Sequence, residues 1–187
     1  MKKLFNDEQI KTILAATSGF DDHRYWLPLL GLYTGCRANE VCQLHKEDLK
    51  EQEGAWYLDI NDNGKKTLKN SPSKRLVPLH SAIIELGFIE YVKTVKHHRI
   101  FPGCKYREST GKYANNWGQW FNRMLVDKGI KPQGDRTITF HSFRHRVYTT
   151  LKRLEINNEH IDQIVGHKLS DSNNPTYHHG YELKALK

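Results

Sequence analysis

No run of about eighteen apolar residues occurs anywhere in the 187-residue chain, so no segment is suited to cross a bilayer as a helix. The N-terminus, Met1-Lys2-Lys3-Leu4-Phe5-Asn6-Asp7, turns polar too soon for a signal peptide, and the expected compartment is the cytoplasm. Cysteine is scarce. Cys36, Cys42 and Cys104 are odd in number and include no Cys-x-x-Cys pair, which argues against a disulfide framework or a zinc knuckle. They read as reduced, partly buried thiols. The sequence has no internal repeat, no low-complexity tract and no linker, so 1–187 is expected to form a single domain. It also lacks the carboxylate cluster of a metal-dependent nuclease.

Positive charge is plentiful. Twenty-nine Lys and Arg against 21 Asp and Glu give a formal net charge of +8. Such an excess favours a polyanionic partner, of which nucleic acid is the commonest. Charge alone decides little, because many basic proteins bind nothing acidic.

The patterning is mainly helical. Asn6-Asp7-Glu8-Gln9 reads as a helix start with a capping box, followed by the apolar stripe Ile10, Ile13, Leu14. The apolar run Tyr25 to Tyr33 stops at Thr34-Gly35, and a second helix follows across Arg37 to Leu44. Trp56 to Ile60 reads as a strand, Asn61-Asp62-Asn63-Gly64 as a turn, and Arg75 to Leu79 as a second strand after Asn70-Ser71-Pro72-Ser73. Ile83, Leu86, Ile89 and Val92 are spaced for one face of one helix. Trp117, Trp120, Phe121 and Leu125 form a further stripe, read as core and not as a platform for bases. Helices are also expected through Phe143, Val147, Leu151 and Leu154, and through Ile161, Ile164 and Val165 to Gly166. The expected architecture is α+β, mainly helical, with a small antiparallel sheet.

Four segments carry polar residues that this patterning does not explain. Arg37 follows Gly35 at the mouth of a helix, where a guanidinium can grip a phosphate, and Glu40 lies one turn on to orient it. Lys69 sits on a basic turn from which an ammonium can donate a proton to a substrate oxygen. His141 and Arg144, at i and i+3, share a helix face: one can move a proton while the other neutralises charge. His167 follows the Gly166 stop, and Tyr177 and Tyr181 come shortly after as candidate nucleophiles. Each segment alone has a plainer reading: an exposed ion pair, a solvated turn, surface histidines, a packing tyrosine. His141 and His145 have zinc-ligand spacing, but His-Ser-Phe-Arg-His lacks the glutamate of His-Glu-x-x-His and two arginines in that turn repel a cation. No metal or other cofactor is expected.

Together these segments resemble the tyrosine recombinase (phage integrase) family. The order Arg, Lys, His-x-x-Arg, Gly-His, Tyr is complete. The words LYTGCRANEVCQL, KNSPSKRLVPLH, FHSFRH and IVGH match the family's motifs across Phe5 to Leu186. The resemblance implies the catalytic domain of a site-specific recombinase that cuts and rejoins double-stranded DNA through a 3′-phosphotyrosine, without metal or ATP. It implies that Arg37 and Arg144 clamp the scissile phosphate, with Glu40 supporting Arg37. It makes His141 a proton donor and acceptor, Lys69 the acid for the departing 5′ oxygen, His167 a phosphate donor and Tyr177 the nucleophile. Lys66 and Lys74 rival Lys69. Tyr181 rivals Tyr177, because His167 to Tyr177 is one residue longer than the family's commonest spacing.

The family usually carries an N-terminal helical domain that closes round the DNA. Its absence from 1–187 leads to an expectation of weak, salt-sensitive DNA binding. Family members often exchange short C-terminal pieces like Tyr181 to Lys187 between protomers, so a monomer in solution and a tetramer only on DNA are expected. A non-catalytic DNA-binding module of the same fold is the alternative, against which the complete residue set argues.

Overall fold

A computed structural model describes residues 3–167, in which eight α-helices and three strands are found. The first helix, α1 (Asp7–Thr17), begins at an Asn6 cap. The Asn6 side chain accepts from the Gln9 amide, and the Gln9 side chain accepts from the Asn6 amide, as the capping-box pattern predicts. Helix α2 (His23–Thr34) ends where the Gly35 backbone turns left-handed at φ 63° and its N–H returns to the Gly31 carbonyl. Three residues later the short α3 (Ala38–Cys42) starts, with Arg37 as its N-cap.

A tight turn, Lys46–Asp48, leads into the sheet β1 (Leu49–Gln52), β2 (Ala55–Ile60) and β3 (Arg75–Pro78). The strands pair antiparallel in sequence order, with Leu49 opposite Leu58 and Ile60 opposite Arg75. The β1–β2 hairpin closes on Glu53 and Gly54, both at positive φ (52° and 73°), which fits the twist of a two-residue hairpin turn. Strand β1 is not foreseen from the sequence. Leu-Lys-Glu-Gln is polar and lies at the sheet edge, with only Leu49 half-buried, so no alternation marks it.

Two helices, α4 (Ser81–Glu85) and α5 (Phe88–Thr94), replace the single one expected after His80. Gly87, at φ 88°, breaks them apart and leaves Leu86 47% exposed, while Ile83, Ile89 and Val92 stay buried. Helices α6 (Asn115–Asp127), α7 (His141–Arg153) and α8 (Asn158–Val165) complete the described fold. On α7 the expected apolar stripe thins out toward the end, since Leu154 is 65% exposed. The three cysteines are free and buried.

Helix α2 is the spine and packs against α1, α3, α4 and α7. On its α7 side Phe5, Trp117, Phe121, Phe140 and Phe143 interlock with ring centroids 4.7–6.0 Å apart. Trp117 is 2% exposed and Phe121 fully buried, so the tryptophan stripe of α6 belongs to the core. Among the described residues no helix is long and apolar enough to cross a membrane.

Close approach of α2 to this cluster depends on Gly31. A Cβ added there would lie 2.6 Å from Phe140 Cζ and 2.7 Å from Cε2, and that ring is itself buried. Gly31→Ala is therefore expected to destabilise the fold by about 1–3 kcal/mol from overpacking, although alanine in a helix is normally favoured over glycine by about 1 kcal/mol. Urea unfolding checks this; an unchanged or higher midpoint would contradict the packing argument.

Candidate active site: an arginine cluster around a buried carboxylate

Glu40, on α3, is 3% exposed and is shared by two arginines. Its Oε1 accepts from Arg37 Nη1 at 2.6 Å, and its Oε2 accepts from the Arg37 backbone N–H at 2.8 Å and from Arg75 Nη2 at 3.0 Å. Burial raises the Glu40 pKa, but the charge of Arg75 and the hydrogen bonds from Arg75 and Arg37 outweigh it, so the carboxyl is held below its ordinary range. Arg37 is thus oriented by Glu40 as the sequence suggests. It also donates from Nη1 to Ser73 Oγ at 3.0 Å and from Nη2 to the Gly166 carbonyl at 3.1 Å.

Arg144 comes in from the first turn of α7 and is 2% exposed. Its Nη1 donates to the Gly35 carbonyl at 3.1 Å. Its Nε and Nη2 are buried and have no hydrogen-bond partner among the described residues. Burial, with the like charges of Arg37 and Arg75, lowers its pKa to about 10, which leaves it charged near neutrality. Two spare donors on a desolvated cation suit a phosphate, whose oxygens accept in pairs.

His141 opens α7 one turn before Arg144, half-buried, with its ring edge-on to His145 at 4.8 Å. His167 follows the left-handed Gly166 that caps α8. Its Nδ1 lies 3.3 Å from Asp162 Oδ1. Burial and the charge of Arg144 lower its pKa, against the opposing pull of Asp162. Among the described residues no group of three or more His, Cys, Asp or Glu is arranged to hold a metal.

The lysine rivals are placed differently. Lys66 is 5% exposed and buried in an ion pair with Asp48 at 2.7 and 2.9 Å. Lys74 pairs at the surface with Asp62 at 2.7 Å. Lys69 is exposed and lies on a span held at both ends. At one end Gln43 exchanges hydrogen bonds of 3.0 and 3.1 Å with the Thr67 backbone. At the other, Ser73 Oγ, already accepting from Arg37, donates to Asn70 Oδ1 at 2.7 Å.

The structure therefore brings Arg37, Glu40, Arg144 and the His167 turn into one cluster, and joins the Lys69 loop to it through Ser73. Tyr177 and Tyr181 lie outside the described residues. Sequence reasoning gave no role to Arg75, Ser73 or Asp162. A signal for Arg75 was present: in a strand it shares a face with Val77, an apolar residue, so it points inward.

A sequence profile of the phage integrase family matches residues 3–183. Tyrosine recombinase XerD of Staphylococcus epidermidis strain RP62A is 27% identical over 156 residues, covering 82% of this chain and 48% of that protein. The chain thus spans about half the length of the curated relatives it matches. The Tn1549 transposon integrase, solved in complex with transposon right end DNA, superposes with a TM-score of 0.64 at 22% identity, covering 90% of this chain and 59% of that one. The catalytic domain of bacteriophage HP1 integrase gives 0.59 at 16% identity, covering 90% and 83%. These structures share the fold.

Desolvation and neighbouring positive charge hold four histidines, His23, His45, His97 and His167, below the ordinary histidine pKa. The unfolded chain then binds more protons than the folded one as pH falls below about 6.5. Their contribution to stability is present above that pH and is lost as pH falls through the depressed values. The urea midpoint is expected to be lower at about pH 5.5 than at about pH 7.5, above the range where carboxylates titrate. An equal or higher midpoint at the acid pH would contradict the assignment.

Proposed function

The chain belongs to the phage integrase family, and from that premise we propose that it cuts and rejoins double-stranded DNA at specific sites through a covalent phosphotyrosine. The observation that carries this reading is Arg144, a buried guanidinium with two spare donors, beside an Arg37 that Glu40 has already oriented. Family and fold support site-specific recombination.

Arg37 and Arg144 hold the non-bridging oxygens of the scissile phosphate, and His167 hydrogen-bonds the same group. Tyr177 Oη attacks phosphorus and its phenolic proton passes to His141. The bond from phosphorus to the 5′ oxygen breaks, and that oxygen takes a proton from Lys69. The products are a 3′-phosphotyrosine and a free 5′ hydroxyl. A 5′ hydroxyl from the same or a partner strand reverses the step. The phosphotyrosine conserves the phosphodiester bond energy, so no ATP is consumed. Charge developing on the phosphate meets fixed cationic donors, the electrostatic role that magnesium takes in other phosphoryl transfers. The protein acts as a monomer in solution and a tetramer on DNA.

Lys69 is favoured over its rivals because Lys66 is enclosed with Asp48 and Lys74 is paired with Asp62. A lysine that reaches a substrate must be free of a buried partner.

Covalent trapping tests the reading. The protein is incubated with nicked duplexes from DNA flanking its own gene, in the presence of chelator. A denaturant-resistant protein–DNA band is expected. It should disappear with Tyr177→Phe, survive with Tyr181→Phe, and fall by at least about a hundredfold in rate with Arg144→Ala. A band lost only with Tyr181→Phe keeps the reaction and moves the nucleophile. DNA binding without any covalent band favours the non-catalytic module.

A further inference from the structure

Arg75 has no step in the proposed reaction, yet three parts of the site converge on its side chain. Its side chain is 2% exposed. Nη2 donates to Glu40 Oε2 at 3.0 Å and to Cys36 Sγ at 3.4 Å, both flanking Arg37. Nη1 donates to the Ser73 carbonyl at 2.8 Å, in the loop that carries Lys69. Nε donates to the Ile164 carbonyl at 2.7 Å, in the last turn of α8 just before His167. These acceptors come from segments up to 128 residues apart in the chain, counting from Cys36 to Ile164.

The end of α8 is fitted to this side chain. Its last carbonyls have no partners within the helix, and a cation is the favoured neighbour for that end of the helix dipole. Arg75 takes the Ile164 carbonyl and Arg37 takes the Gly166 carbonyl. A Cβ on Gly166 would come within 2.9 Å of Arg75 Nη1 and 3.1 Å of Cζ, so the backbone at Gly166 lies directly against the guanidinium. The position of His167 relative to Arg37 is therefore set by Arg75 together with Glu40.

We propose that Arg75 is a positioning residue for DNA cleavage, its guanidinium fixing the Arg37 turn, the Lys69 loop and the His167 turn in one register. The proposal rests on the recombinase reading above. A planar fork with fixed donor directions can span these acceptors; a lysine ammonium on the same strand cannot, although it keeps the charge beside Glu40.

Arg75→Lys and Arg75→Gln in the full chain test this, with Gly166→Ala as a variant that leaves Arg75 in place but crowds it. Folding is checked by thermal unfolding. DNA affinity is measured by anisotropy on a labelled duplex, the covalent step by single-turnover trapping on the nicked duplex, and the His167 imidazole by NMR titration, assigned with His167→Gln. All three variants are expected to keep parental DNA affinity, to trap DNA at least about tenfold more slowly, and to shift the His167 titration. Rescue of trapping and titration by Arg75→Lys overturns the proposal, because charge alone would then suffice. It is equally overturned if trapping falls only in proportion to the folded fraction with His167 unmoved. If the parent chain traps no DNA, the recombinase reading fails, and the His167 titration still decides whether Arg75 fixes that turn.

Discussion

The site depends on one buried carboxylate. Glu40 carries a negative charge at 3% exposure, a state tolerated only because Arg37 and Arg75 bind it directly. Removing one partner from such a pair typically costs about 3–5 kcal/mol, since the charge left behind is buried and uncompensated. The carboxylate also holds α3 in place. Five residues are too few to be stable alone as a helix. Glu40 supplies the start of α3 with a partner for the Arg37 amide. One side chain thus caps the helix, aims the arginine that caps it and anchors Arg75.

Charge in the cluster is unevenly balanced, and that imbalance has chemical content. Arg37, Arg75 and Arg144 gather around a carboxylate that bonds directly to two of them. Among the described residues Arg144 donates only to a backbone carbonyl, and burial beside two like charges pulls its pKa down to about 10. It remains charged at neutral pH, at an energetic cost to the folded state. On the recombinase reading, the cost is of the kind found where stability is traded for function: a cation already desolvated and already aimed needs little reorganisation when a phosphate arrives. The neighbouring His167 feels the same field, which disfavours a second positive charge until an anion enters.

Local signals in the sequence carried much of the fold. The Asn6 and Gln9 capping box, the glycine stops at Gly35 and Gly166 and the aromatic stripe of α6 each follow from short-range rules, and each is found in place. Where the reading departs from the structure, the cause is a local rule overridden or a partner distant in sequence. Gly87 splits a stripe that periodicity alone joins, because its left-handed backbone ends one helix and begins the next. The edge strand β1 has one half-buried side chain and no pattern to read. Arg37 with Glu40 was legible because the two are three residues apart. Arg75 with Ile164, and Lys66 with Asp48, were not, because nothing in a linear pattern says which charged residue finds a partner across the fold.

Lysine and arginine are divided in this site in a way their chemistry explains. On the recombinase reading, a group that holds charge on a phosphate must not titrate and gains from a rigid, two-pronged set of donors, which is what guanidinium offers at Arg37 and Arg144. A group that gives up a proton in the reaction must be able to lose it, and an ammonium can where a guanidinium cannot. On the recombinase reading, Lys69 suits that task by position as well as by type. The chain on either side of it is fixed, by Gln43 at Thr67 and by Arg37 at Ser73, while the residue itself is exposed. Fixing the ends limits where the ammonium can reach, and leaving it without a buried partner keeps it available. Lys66, three residues earlier on the same loop, shows the opposite arrangement: it is enclosed in an ion pair with Asp48 that anchors the loop. On the recombinase reading, the loop divides its work between a lysine that holds it down and a lysine that acts.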